Sequence, residues 1–196
     1  MRAVSSDASA SDLDAQLMLR VTEGCRESFD LLVLRHREPL VHFLYRMVQD
    51  AEVAEELAQE VFLRAFRARA RYQPAAKFST WLYRIATNLA LNWLRRSRNN
   101  GRYCSLGAPE CQQPPAGEPS VEQLLIKRAL VEQVRRAVAS LPERQRAVII
   151  LHKYHGLDHD QIACILGCSV QAVKSLAFRG YANLRRLLPV SLLTHP

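Results

Sequence analysis

The stretch from His159 to Phe178, HDQIACILGCSVQAVKSLAF, decides how the C-terminal half is read. Alanine stands at its fifth place, glycine at its ninth and valine at its fifteenth, the spacing of a helix-turn-helix. Each has a steric reason. Ala163 lets two helices approach closely, Gly167 tolerates the positive φ of a tight turn, and Ile162, Leu166, Val173 and Leu176 fill the shared core. Ser169 then caps the second helix, whose outward positions are Gln171, Lys174, Ser175, Phe178 and Arg179. In a DNA-binding version that face enters the major groove. The same trihelical hairpin also serves as a purely structural element, so charge has to separate the two readings.

Lys and Arg number 27 against 19 Asp and Glu, for a net charge of +8 and a pI near 9.6. That balance favours a polyanionic partner. The signs are also partitioned along the chain. Residues 1–60 sum to −6, residues 61–102 to +10 without one acidic side chain, 103–120 to −2 and 121–196 to +6. Membrane insertion is not expected, because the longest stretch free of Asp, Glu, Lys and Arg is thirteen residues, Gln161 to Val173. A spanning helix needs about 20 apolar residues. The start MRAVSSDASASDLD carries three aspartates and no apolar run, unlike a secretory signal, and a cytoplasmic protein is expected. Cys25, Cys104, Cys111, Cys164 and Cys168 are odd in number and scattered, which fits reduced thiols and predicts no disulfide.

Between the basic blocks, Gly101 to Ser120 holds four prolines and three glycines with no apolar periodicity, and reads as a flexible linker. Elsewhere the apolar spacing is helical. Leu31, Leu34, Val41, Leu44 and Val48 form one stripe, Val53, Leu57, Val61 and Ala65 another. A third helix is expected from about Ser79, as N-cap, to Arg96, with Leu82, Ile85, Leu89 and Trp93 on one face. A short helix from Leu13 to Glu23 precedes them. After the linker, helices are expected over Val121–Ser140, Glu143–Tyr154, His159–Leu166 and from Ser169 onward, punctuated by Pro142 and Gly156. The fold class is all-α: two small helical domains, residues 12–100 and 121–190, joined by the linker 101–120, with a disordered tail at 1–11 and a C-terminal tail at 191–196.

In the first unit, DAEVAEELAQEVFLRAF (50–66) sets Glu52, Glu56 and Gln59 opposite Leu57 and Val61. This is ordinarily a solvated face, with Glu60 and Arg64 forming an i,i+4 pair worth about 0.3–0.5 kcal/mol. If it is functional its partner is a protein, since an anionic face cannot meet phosphates. The following segment ARYQPAAKFSTWLYRIATNLALNWLRRSR (70–98) interleaves Tyr72, Phe78, Trp81, Tyr83 and Trp93 with Arg71, Lys77, Arg84, Arg95 and Arg96. Aromatic faces stack on unpaired bases while cations hold the backbone. Asn88 and Asn92, one helical turn apart, offer donors and acceptors to a base edge. Trp81, Tyr83 and Trp93 are read as core; the basic residues and asparagines are read as a nucleic-acid face.

Together with KFSTWLYRIATNLALNWLRR (77–96), LPERQRAVIILHKYHGL (141–157) and the helix-turn-helix, the chain resembles bacterial RNA polymerase sigma factors of the extracytoplasmic function (ECF) group, in the sigma-70 family. The likeness covers residues 14 to 188. It implies that the first unit is sigma region 2 and the second region 4, with core RNA polymerase (β′ coiled coil and β flap), promoter DNA and an anti-sigma factor as partners. Glu55, Glu56, Gln59 and Phe62 match positions that dock the β′ coiled coil. Lys77, Phe78, Ser79, Asn88, Asn92, Arg95 and Arg96 match those that hold the unpaired −10 element, in a loop from Tyr72 to Ser79 and the helix it opens. Gln171, Lys174, Ser175, Phe178 and Arg179 would read the −35 duplex. Family sequences often carry arginine where this one has Leu176 and Tyr181.

Enzymatic readings find little support. The seven glycines are never closer than six apart, so no phosphate-binding loop or dinucleotide fingerprint can be assembled, and no HExxH is present. A zinc site from Cys164, Cys168 and nearby histidines is weaker than packing of Cys164 inside the helix-turn-helix; no cofactor or metal is expected. Two other readings remain: a helix-turn-helix regulator that is not a polymerase subunit, and an RNA-binding protein that uses the aromatic basic block.

Overall fold

The computed structural model describes residues 6–74, 77–99 and 121–188. Among these there is no strand, in line with the all-α expectation. The first unit contains α1 (Ser6–Thr22), α2 (Arg26–Val48), α3 (Ala51–Arg67), a 3-10 turn (Arg69–Arg71) and α4 (Phe78–Asn99). The second contains α5 (Val121–Ala139), α6 (Glu143–His155), α7 (His159–Leu166) and α8 (Val170–Leu187). The linker, Cys104, Cys111 and the C-terminal tail lie outside the described residues.

Local chemistry sets most boundaries. Asp50 caps α3, its carboxylate accepting from the Val53 N–H at 3.1 Å. Asp158 and Gln161 form a reciprocal capping box at the start of α7, satisfying two backbone donors that would otherwise face the open helix end. Three expectations are corrected. α1 begins at Ser6, inside the stretch expected to be a tail. α4 begins one residue before Ser79, and the Lys77 carbonyl accepts from the Trp81 N–H, so Ser79 sits in the first turn rather than at the cap. On α2, Leu31 and Leu34 are 49% and 79% exposed, whereas Leu32, Leu40, Phe43, Leu44, Met47 and Val48 are buried. The run LLVL is apolar all round, so its spacing does not fix its phase; packing against α1 and α3 does.

The two units pack on each other, α4 against α7 and α2 against α5 and α6. Arg146 on α6 is 9% exposed, and its guanidinium donates to the carbonyls of Met47 on α2 and of Ala139 and Leu141 in its own unit. A buried guanidinium is stable only where acceptors replace its hydration, and here both units supply them. Arg135 donates to the Gln49 amide oxygen at 2.9 Å, and Arg98 pairs with Glu143. Beside them the Tyr83 hydroxyl lies 2.8 Å from His155 Nδ1, with ring centroids 4.8 Å apart and Phe43 edge-on to the imidazole.

Burial raises the Tyr83 phenol well above its usual range, so it stays protonated and donates to Nδ1. His155 is therefore neutral. Its pKa is pushed down to about 4, first by burial and then by the charges of Arg46 and His42. A base whose pKa is depressed by folding contributes stability above its ordinary value near 6.5, which is lost as pH falls from there toward 4. From pH 7.5 to pH 5 the packed state should lose about 2 kcal/mol in urea denaturation, and His155→Gln should flatten that dependence. An equal slope in the two proteins would remove His155 from the account.

Candidate nucleic-acid interface

The chain bends by 101° between α7 and α8, within the range of about 90–120° for a helix-turn-helix. Gly167 makes the turn at φ +61°, and the Ser169 hydroxyl accepts from the Ala172 N–H at 3.2 Å. Ile162, Ala163, Leu166 and Val173 are buried and Leu176 is half-buried, which is the shared core the spacing predicts. Gly180 lets α8 approach α6, since a Cβ there would stand 3.1 Å from Ile149. Asn183 fixes the register by donating to the Gln145 amide oxygen at 2.9 Å.

With the inner face of α8 occupied, Gln171, Lys174, Ser175, Phe178 and Arg179 are all exposed, Phe178 by 76%. An aromatic ring that open to water is the less common case, and it stands here among cations. Leu176 and Tyr181 are half-buried and packed on the core, so neither lies on the exposed stripe. Cys164, expected to pack inside, is exposed: Ile162, Ile165 and Leu166 take the inward side of α7 and leave Cys164 opposite. Among the described residues no group of His, Cys, Asp and Glu could hold a metal; His152 and His159 stack on each other at 5.1 Å.

α4 carries the second basic surface. Asn88, Asn92, Arg95 and Arg96 are exposed, and Arg84 continues the same stripe one turn before Asn88. Arg84, read from the sequence as one of the basic residues of this face though not among those matched to the −10 element, is exposed beside Asn88. Lys77 is exposed and Ser79 half-buried. Phe78 is corrected: it is 0% exposed, its ring packed against His36, Tyr72 and Trp81, and it cannot reach a base without leaving the core. Tyr83 is buried while Trp81 and Trp93 are half-buried, so these aromatics build the bundle.

A third surface lies between α2 and α3, a groove of about 260 Å³ lined by Val33, Arg37, Glu55, Ala58, Gln59 and Phe62. Glu55 is half-buried and ion-paired to Arg37 at 2.8 Å, while Phe62 is 8% exposed and edge-on to Phe29. Glu56 and Gln59 stand exposed at this face. Arg64 pairs with Glu60 at 2.6 Å, the intrahelical contact the spacing predicts.

The two helical units each present an exposed polar, cationic helix stripe, on α8 in one and on α4 in the other. Residues 32–100 match the family model for sigma-70 region 2, and residues 131–184 that for sigma-70 region 4. The chain is 32% identical to the RNA polymerase sigma-H factor of Pseudomonas aeruginosa, covering 85% of this chain and 89% of that protein. It is 33% identical to the sigma-E factor of Escherichia coli over the same shares, and 33% identical to the sigma factor CarQ of Myxococcus xanthus over 87% and 95%. Its fold is similar to that of CnrH solved with the cytosolic domain of CnrY (TM-score 0.66, 23% identity, 89% of this chain and 96% of that one). RpoE of Bartonella quintana, solved with the anti-sigma factor NepR, is similar to the same degree (TM-score 0.66, 22% identity, 84% and 98%). The chain belongs to the ECF group of RNA polymerase sigma factors. It is a transcription-initiation factor, and a helix-turn-helix regulator that acts without polymerase is not favoured.

Gly167→Ala should cost about 1–2 kcal/mol in thermal or urea unfolding, because alanine is strained at that φ although nothing crowds its Cβ. Unchanged stability would mean that the turn can be rebuilt without a left-handed residue.

Proposed function

We propose that residues 12–100 act as region 2 and residues 121–190 as region 4, each gripping a different stretch of the promoter while core polymerase supplies the chemistry. The protein itself breaks no covalent bond and works in the cytoplasm; among the described residues no single helix is long and apolar enough to cross a membrane. The observation that carries this reading is the presence of two exposed basic stripes, on α4 and α8, in different units.

On α8, Lys174, Ser175, Phe178 and Arg179, with Gln171, meet the −35 duplex in the major groove. On α4, Asn88 and Asn92 face the −10 element with Lys77, Arg84, Arg95 and Arg96 around them, and Ser79 opens the helix. Opening a base step costs a few kcal/mol, which is offset when the extruded base is held where duplex DNA cannot reach. Phe78 supports this face from beneath. The groove at Glu55, Glu56, Gln59 and Phe62 receives the β′ coiled coil, with the exposed Leu34 on the adjoining helix available for apolar contact, and the second unit engages the β flap.

The two units must part for this to happen. A compact chain of this length measures about 40 Å across, whereas promoter elements some 25 base pairs apart are separated by about 85 Å of duplex. The twenty residues between the units can reach up to about 70 Å. An anti-sigma factor fits the complementary role of holding the units together; the similar RpoE of Bartonella quintana was solved in complex with the anti-sigma factor NepR.

Purified protein with core polymerase should initiate at a promoter located by start-site mapping and leave a permanganate-reactive bubble; initiation only with a separate sigma factor added would overturn the reading. Asn88→Ala should lower open-complex yield with unchanged core affinity, and an unchanged yield would take Asn88 off the DNA. Lys174→Ala and Arg179→Ala should each weaken −35 duplex binding by about 1–3 kcal/mol where the contact is to a base edge; normal binding in both would reassign α8. Glu56→Arg with Gln59→Arg should reduce polymerase assembly in a pull-down, and wild-type assembly would contradict docking at that groove.

A further inference from the structure

α1 lies N-terminal to the region matched by the family model, which begins at residue 32, yet it packs on α2, on α4 and on the 3-10 turn. Its Asp14 is a buried carboxylate, 6% exposed, held by Arg35 Nε at 3.0 Å and His36 Nε2 at 2.8 Å. A buried carboxylate with two cationic-type partners fixes the orientation of both, since neither can turn away without leaving it uncompensated. The constrained His36 ring lies 5.2 Å from Phe78, which is fully buried.

Phe78 and Tyr72 stand at the two ends of the connection that leads into α4. Their rings are 6.2 Å apart, and Trp81 touches both, 5.9 Å from Phe78 and 5.2 Å from Tyr72. Burial, and after it the charge of Asp14, raises the Tyr72 phenol, so the carboxylate acts electrically on the Tyr72 end of the connection, while His36 contacts the Phe78 end. The geometry is a relay: a carboxylate on α1, a histidine on α2, and an aromatic box from which the proposed −10 face starts. Asp14, Tyr72 and Phe78 are buried, and His36 and Trp81 are half-buried.

We propose that Asp14 is a positioning residue for −10 recognition, acting through His36 on Phe78 and Tyr72 to set the start of α4 and thereby which unpaired base Asn88 and Asn92 accept. This rests on the reading of α4 given above. Asp14 makes no contact with nucleic acid or polymerase.

The test uses holoenzyme and fork-junction DNA carrying the single-stranded −10 strand of the mapped promoter, with each −10 base varied in turn. Asp14→Ala should narrow discrimination at the captured base by about tenfold, while core affinity and −35 duplex binding stay within about twofold of wild type. Asp14→Asn, which keeps a hydrogen bond to His36, should fall between the two. If Asp14→Ala does not fold, as judged by circular dichroism, His36→Gln carries the same expectation, since it keeps a polar partner for Asp14 and removes the ring from Phe78. Folded variants with wild-type discrimination overturn the proposal. So does an equal loss on every base and on core binding, which marks a purely structural role. Asn88→Ala separates the two levels: if it too leaves discrimination unchanged, the assignment of α4 to the −10 element fails, and if it alone lowers discrimination, only the role of Asp14 fails.

Discussion

The Arg146 guanidinium, 9% exposed, donates to a carbonyl of the first unit and two of the second, and the relation between the units depends on it. Removing a charge from water is costly unless its donors are satisfied, and a pocket that satisfies them from two sides can do so only while the sides stay together. These hydrogen bonds are ones that water can replace once the units separate, while buried apolar side chains of the two units also join in one continuous cluster. The neighbouring Tyr83 and His155 pair has the same character, with the added feature that a proton on the imidazole opposes closure.

This constraint links fold to function. α4, which carries one proposed DNA face, packs against α7, the helix that supports the other face on α8, yet the side chains that would read DNA are exposed on both units. Packing the units does not hide those side chains. On the proposed reading the packed arrangement holds the two faces closer together than two distant promoter elements, so promoter binding would be coupled to unpacking and a partner that favours the packed arrangement would oppose initiation.

The helix-turn-helix was legible in the sequence because its determinants are local and steric. Ala163, Gly167, Ser169 and Val173 each have one job in a short stretch, and all four stand where the spacing places them. Phase on α2 was not legible, because the run from Leu31 to Leu34 is apolar on every side and only tertiary packing chooses Leu32. Phe78 misleads for a related reason: an aromatic among cations reads as a stacking platform, but composition carries no information on burial. The join between the units was invisible. Arg146 meets Met47 across 99 positions of sequence, and an arginine in a helix gives no sign that its partners are backbone carbonyls elsewhere. The same holds for Asp14, which reads as one more acidic residue near a terminus until His36 and Arg35 are seen around it.

The most direct test is a distance between the units. Spin labels at Ala70 and Gln133, both exposed and one in each unit, report it by pulsed electron resonance in the free protein and in holoenzyme bound to promoter. A short, narrow distribution in the free protein that lengthens on the promoter is the predicted result. The same distribution in both states, or a broad and long one in the free protein, would contradict the account.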